Sequence, residues 1–433
     1  MSSKVSEIAK AGCAQLCAEP TVLRLNTPEF HGIFTEGLKT VLKLFESNDF
    51  QIRLCGGAVR DLLSGKAPKD LDFATTATPE EMIQMFNKHE IRLISESGWS
   101  HGTVTCRVAE QNFEITTLRI DRVTDGRHAK VEYTKNWMLD ASRRDLTINS
   151  LYMTFEGDVI DYFNGKEDLE NQQIRFVGDP DERIKEDYLR ILRYFRFFGR
   201  IAHEDTQHDE KTLEIISENA NGLLNVSGER IWVELILILK GRLVPQILST
   251  MFSCKLFPYI GLPEFPNMGR FAEIWKCLSH LSPHHVTALA ALFESTESID
   301  HFRKRIKCSN VEHMILEFIV QHRHDIKSGS GRLDHYLDIL VDLHRKRKPA
   351  LPAFYEFLKY TGDTEAMDYC THIKIPVFPV SGNLVKEKCC LKGKLVGKAL
   401  DYLFIQWKNS RYRLSGPELL DMVNETTNWD GLV

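Results

Sequence analysis

The feature that most constrains this 433-residue chain is a pair of adjacent glycines, Gly56 and Gly57, directly after the short apolar run Ile52–Cys55. Glycines at the end of a strand reach backbone conformations closed to other residues, and they let main-chain N–H groups approach a ligand closely. A helix that begins just beyond the turn would add a dipole that favours bound phosphate, and Arg60 would add a charge-assisted contact. The sequence therefore predicts a strand, glycine turn and helix that bind a triphosphate through Gly56, Gly57 and Arg60.

Two aspartates, Asp70 and Asp72, follow this turn. Residues two apart on a strand lie on one face, and hard divalent cations such as Mg²⁺ prefer oxygen ligands. Glu114, a charged residue inside a strand-like segment, is the candidate third catalytic carboxylate, and Asp121 is a weaker one. Two Mg²⁺ ions held there would activate an attacking hydroxyl and stabilise the leaving pyrophosphate. A glycine turn or an acidic pair alone is common on protein surfaces. The two together, about 15 residues apart, favour a nucleotide site.

A second polar cluster contains Arg143, Arg144, Asp145 and Asn149 within one or two helical turns. If this segment is helical, Asp145 and Asn149 are four residues apart and share a face. Such a face can hold the hydroxyls of a ribose while either arginine reaches a phosphate. A surface pair beside solvent-facing arginines is the alternative, and the residues alone leave both interpretations open.

A third cluster, with Asp187 and Arg190, lies in a helical pattern that runs over residues 182–200. Residues three apart are neighbours on one helix face. A carboxylate acceptor beside a guanidinium donor can pair with the Watson–Crick edge of a base, so that protein side chains take the place of a template. A structural salt bridge is the alternative.

The predicted secondary structure changes from mixed strands and helices to helices near residue 176. Residues 27–48 have the apolar spacing of one amphipathic helix, and short extended runs bounded by polar turns follow it. From residue 179 the strand signals fade and long helical patterns take over. Because 433 residues exceed what one hydrophobic core usually organises, we expect two or more packed modules, mixed α/β first and all-α afterwards.

The sequence motifs GGAVRD, DLD, RRDLTIN, EDYLR and SGERIW, in this order, resemble those of class II CCA-adding tRNA nucleotidyltransferases. The resemblance runs over roughly residues 30–239. It implies an α+β fold, with an N-terminal polymerase β-like nucleotidyltransferase head that has a small mixed sheet, followed by an all-α neck, body and tail. The implied parts are an N-terminal extension at 1–29, the head at 30–176, the nucleotide-selecting neck at 177–269, the body at 270–348 and the tRNA-binding tail at 349–433.

The resemblance also implies an activity, which is the template-independent addition of CCA to the 3′ end of tRNA from CTP and ATP, with release of pyrophosphate. In the family pattern, Glu229 and Arg230 stabilise the neck and are structural. The implied site residues are Asp70 and Asp72 for metal, Glu114 as the strand carboxylate, Gly56, Gly57 and Arg60 for triphosphate, Arg143, Arg144, Asp145 and Asn149 for ribose, and Asp187 with Arg190 for CTP and later ATP.

The net charge of −5 gives no sign of a nucleic-acid binder, but charge is unevenly distributed. Residues 374–413 contain nine Lys and Arg against Glu387 and Asp401, an excess of about seven positive charges. A basic solvated helix face is the alternative interpretation. The candidate tRNA-binding residues of this segment are Lys392, Lys394, Lys398, Lys408 and Arg411.

Several bulk features restrict the cellular context. No apolar run approaches the length of a membrane-spanning helix, so we expect no membrane partner. The ten cysteines form no CxxC motif, which favours free thiols in a reducing compartment. The first 28 residues lack the composition of a signal or transit peptide, so cytoplasm or nucleus is favoured and a mitochondrial form stays open.

Competing functions come from the same superfamily and from outside it. A poly(A) polymerase or a partial CC- or A-adding enzyme would share the head motifs. An RNA-binding protein with an inactive head is the alternative of another class, and the intact carboxylate pair argues against it. The expected partners are a tRNA that lacks its CCA end, CTP and ATP, with the enzyme a monomer or homodimer.

Overall fold

The predicted strand, glycine turn and helix are confirmed near the start of a computed structural model that describes residues 20–95, 98–124, 129–204, 206–324, 331–345, 351–389 and 391–425. The described chain forms two compact units. Unit 1 extends to Glu264 and includes Lys304–Lys307, and unit 2 comprises Phe265–Arg303 and the chain from Cys308 onward. The finer division into head, neck, body and tail stays a prediction.

The first part of unit 1 contains an eight-stranded mixed sheet and a separate two-stranded hairpin. The strands are β1 Thr21–Arg24, β2 Ile52–Cys55, β3 Asp72–Thr75, β4 Arg92–Ser95, β5 Thr103–Val108, β6 Gln111–Thr117, β7 Arg119–Thr124, β8 Ala129–Tyr133, β9 Tyr152–Met153 and β10 Asp158–Asp161, of which β7 and β8 form the hairpin. The strand order in the sheet is β1-β10-β9-β2-β3-β6-β5-β4, and all neighbours are antiparallel except β3 and β6. The mixed sheet confirms the predicted α+β class.

The helix predicted over residues 27–48 is two helices, because Thr27 and Thr35 each cap a new helix start with their hydroxyl oxygens. The second of the two is amphipathic and packs Leu38 and Phe45 into the core beneath the sheet. The helices of this part are α1 Pro28–His31, α2 Glu36–Ser47, α3 Gly57–Leu63, α4 Pro79–Lys88, α5 Trp137–Ser142 and α6 Gly165–Glu170, with 3₁₀ turns at Trp99–His101 and Thr147–Asn149.

Beyond α6 the named elements of unit 1 are helical, as predicted for the residues after 179. Glycine is required at one packing contact here, because a Cβ on Gly228 would lie 2.0 Å from the carbonyl oxygen of Arg305. The helices are α7 Pro180–Glu186, α8 Leu189–Ile201, α9 Glu210–Glu218, α10 Gly228–Leu239 and α11 Val244–Ser253, with 3₁₀ turns at Ala220–Asn225 and Phe257–Ile260.

The named elements in the described residues of unit 2 are all helical, and part of its core is a cluster that includes Val385, Leu403 and Leu419. No helix in the described ranges of the chain is long and apolar enough to cross a membrane. The helices from residue 268 onward are α12 Met268–Leu278, α13 Thr296–Ile306, α14 Asn310–His322, α15 Arg332–Arg345, α16 Leu351–Thr361, α17 Thr364–His372, α18 Gly382–Cys389, α19 Lys394–Asn409 and α20 Gly416–Glu425, with a 3₁₀ turn at Ala288–Leu292. The final residues of α13 belong to unit 1.

Candidate active site

A cavity of about 500 Å³ in unit 1 opens where the turn before α3, the start of β3, the segment after α5 and helix α8 meet. It brings together eleven of the twelve residues predicted for the catalytic, metal, triphosphate, ribose and base sites, and Glu114 is the twelfth. The lining residues are Gly56, Gly57, Ala58, Arg60, Asp61, Lys69, Asp70, Asp72, Arg143, Arg144, Asp145, Asn149, Asp187, Arg190, Arg193, Arg196, Phe197 and Arg200.

The glycine turn lies at the wall of this cavity. Gly56 has φ +64°, a conformation that side chains with a Cβ rarely adopt, and Gly57 is the first residue of α3. A Cβ on Gly56 would lie 3.1 Å from Nη1 of Arg144. The backbone angle therefore requires glycine here, and the approach of the arginine leaves little room for a side chain.

The two aspartates lie at the start of β3. Only Asp72 belongs to the strand, and Asp70 is in a bend before it, so the prediction that both lie on the strand is wrong. Both nevertheless line the cavity. Burial raises the pKa of the Asp72 carboxyl, Asp70 raises it further, and Arg144 acts against both.

Glu114 is in register with Asp72 on the neighbouring parallel strand β6. Residues opposite each other on adjacent strands point to the same face of a sheet. Glu114 is thus beside the aspartate pair, although it is not among the side chains that line the cavity. The side chain of Asp121, the weaker candidate, lies outside the described part of the chain.

Arg143 and Arg144 are held from behind by a carboxylate that the sequence analysis missed. Asp140, 1% exposed, accepts from Nε of Arg143 at 2.8 Å, from Nη2 of Arg144 at 3.4 Å, and from the Tyr152 hydroxyl. Burial would raise the pKa of Asp140, but the two guanidinium groups and the hydrogen bonds outweigh it and lower the pKa to about 2. The carboxylate therefore stays ionised and fixes both arginines at the cavity wall.

Asp145 and Asn149 meet as predicted, although residues 147–149 form a 3₁₀ turn and Asp145 precedes it. The Asn149 amide donates to Oδ1 of Asp145 at 3.2 Å and accepts from Nη1 of Arg60. Oδ2 of Asp145 accepts from Nε of Arg193 at 2.6 Å. Burial would raise the pKa of Asp145, but Arg193 and the hydrogen bonds outweigh burial and lower this pKa. Asn149 and Asp145 thus connect helix α3 to helix α8.

Asp187 and Arg190 do not share a helix face, which corrects the predicted geometry. Asp187 ends α7 with an extended backbone, and its Oδ1 accepts from the Leu189 N–H at the start of α8. Its other oxygen accepts from Nη2 of Arg230 at 2.6 Å, and Arg190 donates to Glu186 at 2.7 Å. The aspartate caps the helix that carries the arginine, and both side chains still line the cavity.

Helix α8 adds four side chains that the sequence analysis missed, Arg193, Arg196, Phe197 and Arg200. Their spacing from Arg190 by three, six, seven and ten residues is the signal that would have found them, because such positions follow one face of a helix. Behind them, the buried carboxylate of Glu234 accepts from Arg196 at 3.1 Å and lies 3.6 Å from Arg193.

In unit 2 the predicted tRNA-binding residues differ in their surroundings. Lys392 and Lys394 are exposed. Lys408 donates to both carboxylate oxygens of Asp342 at 2.9 Å, and Arg411 lies 3.2 Å from Asp334. Lys398 is partly buried on α19. The excess of positive charge counted along residues 374–413 is therefore partly offset by carboxylates of α15.

Comparison with known proteins identifies the family. The chain is 45% identical to "CCA tRNA nucleotidyltransferase 1, mitochondrial" of Danio rerio over 95% of both chains, and 46% identical to the Homo sapiens protein of the same name over 93% of both. The chain belongs to the CCA-adding tRNA nucleotidyltransferases. The family described as "Poly A polymerase head domain" matches residues 52–175, and "Probable RNA and SrmB- binding site of polymerase A" matches residues 207–268.

Solved structures of CCA-adding enzymes have the same fold. The Bacillus stearothermophilus enzyme in complex with CTP is 24% identical, with a TM-score of 0.68 over 92% of this chain and 98% of that one. The Thermotoga maritima enzyme complexed with tRNA is 18% identical, with a TM-score of 0.65 over 94% and 99%. At these identities the likeness shows the fold alone.

Proposed function

We propose that this CCA-adding nucleotidyltransferase completes the 3′ end of tRNA by adding two cytidylates and one adenylate from CTP and ATP, with release of pyrophosphate. The observation that carries the proposal is the cavity in which an aspartate pair faces seven arginines of the head and of helix α8. Membership of the family, at 45% identity over almost the whole chain, supports the same reaction.

The carboxylates fit the divalent metal that this family uses in nucleotidyl transfer. Asp70, Asp72 and Glu114 offer only oxygen ligands. Burial, and to a smaller extent Asp70, raises the pKa of Asp72, and a bound cation would favour its ionised form. We propose Mg²⁺, in two sites. Bound metal would supply activation of the 3′-hydroxyl and charge stabilisation at the leaving pyrophosphate.

The triphosphate has a cradle in the glycine turn. Gly56 and Gly57 bring the backbone to the cavity wall, and Arg60 lies beside them. The described hydrogen bonds of Arg60 use three of its five N–H groups, two to Asp61 and one to Asn149, and two remain for phosphate oxygens. Asp61 is held in turn by Arg200, so the arginine is positioned before the nucleotide arrives.

The ribose would lie against Arg143, Arg144, Asp145 and Asn149. Asp145 and Asn149 have fixed side-chain directions because they bond to each other, and because Asp145 also accepts from Arg193 and Asn149 from Arg60. Amide and carboxylate groups are suited to the ribose hydroxyls, and the arginines held by Asp140 are suited to phosphate oxygens.

The base would be read by Asp187 and Arg190 in place of a template. Arg230 holds Asp187, and Arg190 donates to the carbonyl oxygens of Arg143 and Arg183 as well as to Glu186. These three bonds fix the guanidinium of Arg190, a residue that lines the cavity, and two of its five N–H groups remain for a base. Rigid donors and acceptors are what discrimination between bases requires.

The proposed RNA substrate is a tRNA that lacks its CCA end, bound mainly by the exposed Lys392 and Lys394, with smaller contributions from Lys398, Lys408 and Arg411. The relatives of Danio rerio and Homo sapiens carry "mitochondrial" in their names, which supports a mitochondrial form. Cytoplasmic and nuclear forms, and a monomeric or homodimeric state, remain proposals. The predicted extension at 1–29 lies largely outside the described residues.

The product of a single reaction tests the activity. Purified protein is incubated with Mg²⁺, CTP, ATP and a tRNA that ends at its discriminator base, and the 3′ ends are sequenced. A product that ends in CCA supports the proposal. A-tails, CC alone or an unchanged end would indicate a poly(A) polymerase, a partial enzyme or an inactive RNA-binding protein, and each would contradict it.

The metal assignment is tested with Asp72→Asn. We expect incorporation of both nucleotides to fall by at least about 10³-fold while tRNA affinity changes little, because the carboxylate acts on the reacting groups. Asp158→Asn, which removes a surface carboxylate of β10, is the matched control and should leave activity unchanged. Normal turnover by Asp72→Asn would refute the assignment.

The base-reading assignment is tested with Arg190→Ala. We expect the preference for CTP and ATP over UTP and GTP to fall by about 10- to 100-fold, a larger change than in the affinity for the triphosphate. Lys185→Ala removes a surface ion pair with Asp181 on α7 and is the control. The measurement is kcat/KM for each triphosphate. If the preference among the triphosphates is unchanged, Arg190 does not read the base and only forms a structural ion pair with Glu186.

A further inference from the structure

Unit 2 contains a second group of ligand atoms, apart from the residues to which the reaction is assigned. His284, His285 and Glu312 each offer one nitrogen or oxygen atom, and these three atoms lie within 4.8 Å of one another. The side chains of His285 and Glu312 are 10% and 8% exposed. The proposed reaction uses none of the three.

The distances suit a small cation. Nε2 of His285 lies 2.7 Å from Oε1 of Glu312, and the imidazole rings of His284 and His285 are 4.0 Å apart at their centroids with a tilt of 32°. Around a tetrahedral zinc ion with bonds of about 2 Å, ligand atoms lie roughly 3.3 Å apart. The His285–Glu312 pair therefore needs to widen by only about half an ångström to admit the ion.

Neighbouring groups fix the direction of the carboxylate. Glu312 is the third residue of α14, where it closes a capping box with Ser309. In that box Oε2 of Glu312 accepts from the Ser309 N–H at 2.7 Å, and Oε1 points to His285. The two oxygens thus have separate partners, as carboxylates at metal sites often do.

The histidine segment is fixed as well. The backbone N–H of His284 donates to Oε2 of Glu356 on α16 at 2.9 Å, and the Thr287 hydroxyl donates to the same oxygen. Lys359 bonds to the other oxygen of Glu356. The segment 284–287 is therefore held between α14 and α16, with the His285 imidazole bonded to Glu312 and a His284 ring nitrogen within 4.8 Å of it.

The donor set indicates which ion fits. Two imidazole nitrogens and one carboxylate oxygen are ligands typical of Zn²⁺, whereas Mg²⁺ prefers oxygen ligands alone. We propose that His284, His285 and Glu312 form a zinc site in unit 2, with water as the fourth ligand, that links the segment 284–287 to the start of α14. The site is separate from the carboxylates assigned to nucleotidyl transfer.

The test measures zinc itself. The full chain with Asp70→Asn and Asp72→Asn, which removes the aspartate pair of the nucleotidyl-transfer site from the count, is stripped with chelator and dialysed against about 1 µM free Zn²⁺, far above the dissociation constant of an ordinary structural zinc site. We expect one zinc per chain by elemental analysis. Absence of zinc would overturn the proposal and leave a histidine–carboxylate hydrogen bond only.

Two variants locate the ion. Glu312→Gln keeps the helix start, because glutamine also closes a capping box, but it loses the anionic ligand. We expect its zinc affinity, and that of His285→Ala, to fall at least about 100-fold. Glu356→Gln makes the same charge change beside the same segment and should retain one zinc. Undiminished zinc in Glu312→Gln would overturn the assignment.

A second measurement covers the case in which a variant unfolds. Binding to the folded state alone raises stability, so excess Zn²⁺ should raise the melting temperature of unit 2 by several degrees in the unaltered chain. Hydrogen exchange resolves peptides of unit 2 from those of unit 1. The shift should be absent in Glu312→Gln and present in Glu356→Gln, and an equal shift in both would contradict the site.

Discussion

Replacement of Asp140 by asparagine tests whether the buried carboxylate behind Arg143 and Arg144 holds this part of unit 1 together. The pKa of Asp140 is about 2 in the folded protein, against an ordinary value of about 3.9. A difference of this size contributes about 2.5 kcal/mol to stability at neutral pH. An asparagine side chain would offer one acceptor oxygen and turn its NH₂ group toward groups that are themselves donors. We therefore expect Asp140→Asn to lose at least about 2.5 kcal/mol at pH 7.

The pH dependence of the stability difference between the unaltered protein and Asp140→Asn is the most specific test of the role of this carboxylate. Because the folded pKa is depressed, the stabilisation is fully present above about pH 5, and it is lost as the pH falls through the folded value near 2. Asparagine does not ionise, so the stability difference between the two proteins should be constant from about pH 5 to 8. It should fall to about half by pH 3.

Pulsed hydrogen exchange across a urea series is the assay, because it follows peptides of unit 1 and unit 2 separately. Asp158→Asn is the matched control, since its surface pair with Arg24 at 3.8 Å is worth at most about 0.5 kcal/mol. A loss of less than about 0.5 kcal/mol for Asp140→Asn at pH 7 would refute the reasoning. A difference that stays undiminished at pH 3 would do so as well.

Two further predictions concern packing and the basic tail. Gly165→Ala should destabilise unit 1 by about 3 kcal/mol in the same urea assay, because a Cβ there would lie 2.1 Å from the carbonyl oxygen of Thr147. Gly397→Ala is the control, and it should be neutral or stabilising because a Cβ there would meet nothing within 4 Å. Lys394→Ala should weaken tRNA binding and lower its salt dependence by about one ion, whereas Lys408→Ala should change both much less because Lys408 is paired with Asp342. Equal effects of the two lysine variants, measured by filter binding from low to high salt, would show that the pairing does not matter.

The local features of the site could be predicted from the sequence because each depends on residues close in the chain. The turn at Gly56 needs a positive φ, and adjacent glycines after an apolar run are a sequence pattern that predicts such a turn. The aspartates follow within one connection, and Asp145 and Asn149 are close enough to meet in a 3₁₀ turn as well as in a helix. In such cases the spacing along the chain determines which side chains meet, whether the segment forms a helix or a 3₁₀ turn.

The parts that could not be predicted depend on distant partners. Arg60 bonds to Asn149 across 89 positions, and Arg200 bonds to Asp61 across 139. No local pattern indicates such pairs, since a guanidinium on a helix surface is equally consistent with solvent exposure. The helix break at Asp187 was missed for another reason, because no proline or glycine marks it. The break is made by a carboxylate that caps the next helix and bonds to Arg230.

These distant pairs also explain why the net charge of −5 misleads. Eight cationic side chains and five carboxylates line the cavity, so it has a surplus of three positive charges inside an acidic protein. Asp61, Asp145 and Asp187 are each bonded to an arginine, whereas Asp70 and Asp72 stand where the metal is proposed. The paired carboxylates hold the guanidinium groups in place. Once a divalent cation neutralises Asp70 and Asp72, the positive surplus that faces the polyanionic nucleotide rises from three to five. Affinity for the triphosphate should therefore depend on metal more strongly than affinity for tRNA does.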